Sequence, residues 1–261
     1  MTFTQNYING WGYAYLASWS LALEEHFYFG FSLLLSFGLS QNKIVLIKGS
    51  QHQKYGSFEM RIITVMILCL LFRLFSNTVF PNYYAKNFTM THLRIDSLLA
   101  GVLIAYLYYF RIDFLRKTYS KYKYLLLASA IVFLIWTPFI DTLPSFFVKT
   151  LGFTLLYISF GILLLYFILE PDINHQLNRA FSSPIVNLVS EVGYCSYSIY
   201  IIHSFVNDRF NEIIVNWNLH SNHYFSFFLT STFSIGIGIF MTYKIEKYFL
   251  SLRDRFFPNR A

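Results

Sequence analysis

Seven stretches of this chain are apolar for long enough to constrain everything else about it. They run over residues 20–39, 60–79, 96–110, 124–140, 147–168, 195–214 and 224–244, each bounded by polar or charged residues. A helix needs roughly 20 mostly apolar residues to cross a bilayer. In lipid the backbone polar groups must be satisfied within the segment, and runs of this length achieve that as helices. The pattern predicts an all-α, polytopic membrane helix bundle of about seven transmembrane helices, with residues 1–261 as a single integral membrane domain. Composition agrees: 56% of residues are hydrophobic and only 13% charged, against about a quarter charged in soluble domains.

The net charge of +7 sits between the apolar runs and has no aromatic interleaving, so it argues for membrane topology rather than nucleic acid. Lys43, Lys48, Lys54 and Arg61 flank the first connection. Arg111, Arg116, Lys117, Lys121 and Lys123 fill the third, Arg179 lies in the fifth, and Lys244, Lys247, Arg253, Arg255 and Arg260 form the tail. The alternate faces hold only Lys86, Arg94, Lys149 and Arg209. Excess Lys and Arg mark cytoplasmic loops, so the carboxyl terminus is expected in the cytoplasm. Seven spans then put the first residues outside. The opening MTFTQNYING lacks the basic start and apolar core of a signal peptide. An odd number of upstream helices is therefore expected. Cys69 and Cys195, each in or at an apolar run, form no disulfide framework.

Three clusters carry polar chemistry into this setting. In S-W-S-L-A-L-E-E-H-F-Y, residues 18–28, Glu24 and Glu25 lie at the outer end of the first run. An ionisable side chain costs on the order of 3 kcal/mol at mid-membrane and less near the interface. One carboxylate can cap a helix amino terminus; a second points about 100° away and is free to face the bundle. His26 and Tyr28 extend this polar surface. In T-H-L-R-I-D-S-L-L-A-G, residues 91–101, Asp96 and Ser97 suit a helix start, and Arg94 can pair with Asp96 or with a glutamate of the first run. In G-Y-C-S-Y-S-I-Y-I-I-H, residues 193–203, the positions Ser196, Tyr200, His203 and Asn207 share one helical face. Such a stripe suits protein or water better than lipid. Arg73, inside the second run, either snorkels or neutralises Glu24 or Glu25. Asn87-Phe88-Thr89 fits a glycosylation acceptor pattern. His52, His175, His220 and His223 lack metal-ligand spacing, and no zinc signature, phosphate loop or dinucleotide fingerprint occurs.

The three clusters, in this order, resemble the membrane acyltransferase-3 family. Gln5-Asn6-Tyr7 followed by W-S-L-x-x-E-E-H-F-Y is similar to the family's tryptophan–glutamate motif. Residues 91–101 resemble a segment of the bacterial O-antigen and exopolysaccharide O-acetylases. Residues 194–203 resemble the late serine–tyrosine–histidine helix. The resemblance implies a bundle of about ten helices. It also implies acyl transfer, usually of acetyl, from acyl-CoA to a hydroxyl of a cell-surface glycan or lipid-linked sugar, without a metal. It implies Glu24 or Glu25 as the catalytic acid, the alignment favouring Glu25. Arg94, Asp96, Tyr197 and His203 fall in matching blocks, and Arg73 joins them as a substrate-binding candidate.

Family members carry about three further helices at the amino end, the first bearing a basic residue and a histidine central to transfer. This chain starts downstream of that position, so it is expected to be truncated and inactive alone. Three helices added to seven would put both ends in the cytoplasm, as the charge bias also requires. The expected location is a bacterial inner membrane, with membrane lipids and the glycan acceptor as partners. The alternatives are a transporter or glycan-export component, or a sensor or assembly subunit, built from the same polar clusters.

Overall fold

The computed structural model describes residues 3–11, 18–40, 55–216 and 223–257. Among them every regular element is helical. The chain divides into two compact units, the first ending at Pro171 and the second running from Asp172. The first contains α1 (Gln5–Ile8), α2 (Ser18–Ser40), α3 (Tyr55–Val79), α4 (Tyr84–Thr89), a 3₁₀ turn (Thr91–Leu93), α5 (Ile95–Phe110), α6 (Ile112–Leu134) and α7 (Phe153–Leu169), the last entered through a π-helical turn (Val148–Gly152). The second contains α8 (Ile173–Phe181), α9 (Ser183–Tyr194), α10 (Ser196–Asn216), α11 (His223–Met241), a π-helical turn (Thr242–Glu246) and α12 (Lys247–Phe256).

Helix α3 shows why this sequence suits a membrane. Its buried positions are Ile62, Cys69, Arg73 and Asn77, which recur at helical spacing on one face. Its exposed positions include Ile63, Ile67, Leu71, Phe72 and Phe75. A polar interior under an apolar exterior reverses the pattern of a water-soluble helix and matches lipid as the surrounding solvent. Beside this polar strip, Phe27 of α2, Ile62 of α3 and Leu99 of α5 form an apolar core, with Phe31, Phe58 and Met66 packed on it. Helix α5 packs on α3 and on α7, and α6 on α7.

Three helices are long and apolar enough to cross a membrane: Phe58–Val79, Val148–Leu169 and Tyr224–Phe256. Two pairs qualify if each is taken as one span: Ile95–Phe110 with Ile112–Leu134, bent by 109°, and Ser183–Tyr194 with Ser196–Ile214, bent by 76°. The described residues therefore hold three to five candidate spans. Helix α2 is long enough at 23 residues, but Glu24, Glu25 and His26 lower its hydropathy.

Two expectations about connections need correction. Residues 112–123, expected as a basic loop, form the first half of α6. Arg and Lys are good helix formers. Leu115 and Tyr119 recur on one buried face, while Arg116, Lys117 and Lys121 stay outside. The tie to Glu170 completes the anchoring: Tyr119 donates to it at 3.0 Å and Lys123 at 2.7 Å. The basic tail is likewise helical as far as Phe256. Lys43, Lys48, Lys54, His52, His220 and Arg260 lie outside the described residues.

In the second unit α10 and α11 pack closely. Thr230, Ser234, Gly238 and Thr242 recur every four residues and are all buried. Small residues in such a row let helix backbones approach. A Cβ on Gly238 would lie 2.8 Å from the Ile199 Cα and 2.9 Å from its N.

Candidate functional site

The first unit gathers the amino-terminal residues, α2 and the segment before α5 through side-chain bonds. Asn6 of α1 donates from Nδ2 to the Thr91 hydroxyl at 2.9 Å and to the Thr89 carbonyl at 3.2 Å. The Thr91 oxygen also lies 2.8 Å from His26 Nδ1 on α2. A hydroxyl accepting from Asn6 still has its own proton for an imidazole nitrogen, so Thr91 links the two. Tyr7 stacks on His92 with ring centroids 5.7 Å apart, and its hydroxyl lies 3.2 Å from His92 Nδ1. Residues separated by more than eighty positions thus form one polar cluster, and each comes from a block singled out in the sequence.

Behind it lies a buried ion pair. Arg73 Nη2 donates to Asp96 Oδ2 at 2.7 Å and to Thr154 Oγ1 at 2.6 Å; Nη1 donates to Asp96 Oδ1 and to the Leu93 carbonyl, both at 3.3 Å. Both side chains are fully buried. Bidentate contact and two further acceptors are what a desolvated guanidinium needs to offset its loss of water. Arg73 therefore neither snorkels nor neutralises Glu24 or Glu25. Asp96 Oδ1 also accepts from the Ser97 backbone N–H at 3.1 Å, so the carboxylate closes the first turn of α5 while holding Arg73.

With Asp96 taken by Arg73, Arg94 is left without the expected carboxylate. Its guanidinium carbon lies 3.5 Å from the centroid of Phe153, 5.4 Å from Phe88 and 6.0 Å from Trp19. These rings support one another edge to face: Trp19 on Phe88 at 5.7 Å, Phe88 on Phe153 at 5.1 Å. Arg94 Nη1 is buried with no hydrogen-bond partner. Burial, with Arg73 close by, lowers its pKa to about 10, so it stays charged at neutral pH. Arg94 is half-buried in this aromatic box, and a cation–π contact contributes about 0.5–2 kcal/mol depending on how far it is desolvated.

Arg73, Arg94 and Asp96 line a cavity of about 400 Å³ between α5 and α7, continued by Ile104, Leu156, Phe160 and Leu164. That volume lies in the usual range for small-molecule sites. A second cavity, of about 570 Å³, is almost wholly apolar and runs from His26 along Phe31 and Leu35 to Arg61.

Glu24 is partly buried and Glu25 exposed. Neither forms an ion pair with a described residue. They lie past the first turn of α2 as described from Ser18, where the helix dipole has faded, which removes the capping explanation. Tyr28 is exposed. Asn87 is buried, accepting from Ser76 at 2.6 Å and donating to the Phe80 carbonyl at 2.8 Å; its amide is structural and closed to glycosylation.

The third sequence cluster belongs to the second unit. There Ser196, Tyr197, Tyr200, His203 and Asn207 are all exposed. The buried polar contact of α10 is instead Ser198, which donates to Glu246 at 3.0 Å. Glu191 accepts from Tyr243 at 2.6 Å, beside the free, buried Cys195.

Sequence reasoning missed the aromatic box and Thr154. Trp19 and Phe88 lie in quoted motifs, but nothing marks Phe153 among 30 phenylalanines. Compared with family models, curated proteins and solved structures, the chain has no significant match.

Proposed function

We propose that this chain crosses the membrane about seven times and belongs to a membrane O-acyltransferase, moving an acyl group, acetyl above all, from acyl-CoA to a hydroxyl of a cell-surface glycan or lipid-linked sugar. The observation that carries the reading is the junction of two of the three resembling blocks at one place: Asn6 and His26 of the first hydrogen-bonded to Thr91 of the second, with Tyr7 stacked on His92 beside them. The second reading is a transporter built from the same clusters: two helix pairs are bent, by 109° and 76°, as broken transporter helices are, but the sequence holds no internal repeat to pair them.

The chemistry asks little of the fold beyond position. The acceptor oxygen attacks the thioester carbonyl, the C–S bond breaks, and the hydroxyl proton ends on the departing thiol. Such a step needs a group to take or hold the hydroxyl proton and donors for the oxyanion on the acyl carbon. Glu25, exposed and free of ion pairs, holds the acceptor hydroxyl, with Glu24 beside it. Arg94 supplies positive charge that no carboxylate of the unit cancels. Arg73 and Asp96 act as a pair that positions the start of α5. His203 and Tyr197 lie on an exposed helix face of the second unit and remain substrate-binding candidates through the resemblance alone.

The test is Glu25→Gln in cells that carry the gene at its own locus. The variant should reach the membrane folded and leave the surface glycan without added acetyl groups. Full acetylation by a Glu25→Gln protein would remove that residue from the mechanism.

A further inference from the structure

The cavity between α5 and α7 carries two guanidinium groups, Arg73 and Arg94, and one carboxylate, Asp96. Asp96 is spent on Arg73 through two contacts. The walls thus hold one positive charge in excess, and it belongs to Arg94. Away from Arg94 the cavity turns apolar, along Ile104, Leu156, Phe160 and Leu164. Gly101 lines it, and a Cβ there would meet nothing within 4 Å. At about 30 Å³ per water-sized group, the volume of about 400 Å³ takes roughly a dozen such groups. That is enough for a phosphoryl headgroup and the first carbons attached to it.

We infer that this cavity binds the phosphate-bearing end of an amphiphile, the phosphate against Arg94 and the adjoining chain along the apolar wall. A guanidinium is the side chain best matched to phosphate oxygens, and Arg94, half-buried and lining the cavity, carries a charge that no ion pair among the described residues cancels. The apolar wall continues in the direction a bare anion would leave empty. This rests on the acyltransferase reading in one respect only: it selects, among possible acceptors, a phosphate-linked lipid. Binding is measured without acyl transfer, so either idea can fail alone.

Titration calorimetry on the full chain, purified in a maltoside detergent, decides it. The probes are decyl phosphate, decanol, inorganic phosphate and coenzyme A. Decyl phosphate should bind, decanol should not, and inorganic phosphate should bind at least about tenfold more weakly. Arg94→Gln should lose about tenfold or more in decyl phosphate affinity, the scale of one charge-assisted bond, and Arg94→Lys should recover part of it. Gly101→Leu adds a side chain at a lining position where a Cβ meets nothing within 4 Å, so it should fold, weaken decyl phosphate binding and leave inorganic phosphate binding as it was. Equal binding of decanol, or unchanged affinity in both Arg94→Gln and Gly101→Leu, would overturn the inference. Inorganic phosphate binding as tightly as decyl phosphate would make the ligand a free anion and refute the lipid assignment. Coenzyme A displacing decyl phosphate at lower concentration would refute it in favour of the donor.

Discussion

At the scale of single residues, the account turns on which charges are compensated. Arg73 and Asp96 are fully buried and bonded to each other. Asp96→Asn leaves the guanidinium without its counter-charge, a loss of about 3–5 kcal/mol when one partner of a buried pair is removed. Thermal unfolding followed by tryptophan fluorescence should show a large drop in Tm. The double replacement Arg73→Met with Asp96→Leu should regain most of it, because no charge is then stranded. An Asp96→Asn protein that melts like the wild type would contradict the pairing. The Asn6–Thr91 bond makes a smaller claim. Asn6→Ala and Thr91→Val should each cost about 1 kcal/mol, and a double-mutant cycle should show coupling of about 0.5 kcal/mol or more. Additive effects would mean that the amino-terminal residues do not hold this turn. The sequence showed Arg73, Arg94 and Asp96 as charges in a costly place but not their pairing. Partner choice depends on which faces of α3 and α5 meet, and Arg94 is only two positions from Asp96 along the chain. The structure gives Asp96 to Arg73, twenty-three positions away.

At the scale of elements, apolar length was the readable signal. The expected runs 20–39, 60–79 and 96–110 correspond to α2, α3 and α5, and 147–168 to α7 with its entry turn. Their ends were fixed by charge and are legible within a few residues. Residues 112–123 failed because charge was read as loop, whereas Leu115 and Tyr119 carry a helical face through the basic stretch. The row Thr230, Ser234, Gly238, Thr242 went unread in the sequence, because its meaning depends on a facing helix. It predicts a contrast between two glycines on one helix. Gly238→Leu should force α11 away from Ile199 and cost about 1–3 kcal/mol, as overpacking does. Gly236→Leu, where a Cβ meets nothing within 4 Å, should be tolerated. Equal stability of the two variants, measured by thermal unfolding, would show that α10 and α11 do not pack at Gly238.

At the scale of the molecule, the claims are membrane orientation and reaction. The charge bias predicts the basic face of α6 on the cytoplasmic side and the segment before α4 on the outer side. Cysteines introduced at Lys117 and Tyr83, both exposed, should react differently with a maleimide that cannot cross membranes. In intact cells Tyr83→Cys should label and Lys117→Cys should not; after lysis both should. The native Cys69 and Cys195 are buried and give a low background. The reverse pattern would invert the topology. The proposed reaction rests on ordered motifs alone, because a reaction is defined by substrates that no periodicity encodes. The most direct test is to give membranes bearing the protein, expressed from its own locus, acetyl-CoA labelled in the acetyl group together with the native surface glycan. The account predicts label covalently attached to the glycan, released by mild base as an ester and lost in the Glu25→Gln variant. Glycan that crosses the membrane without gaining label would contradict it and make the protein a transporter.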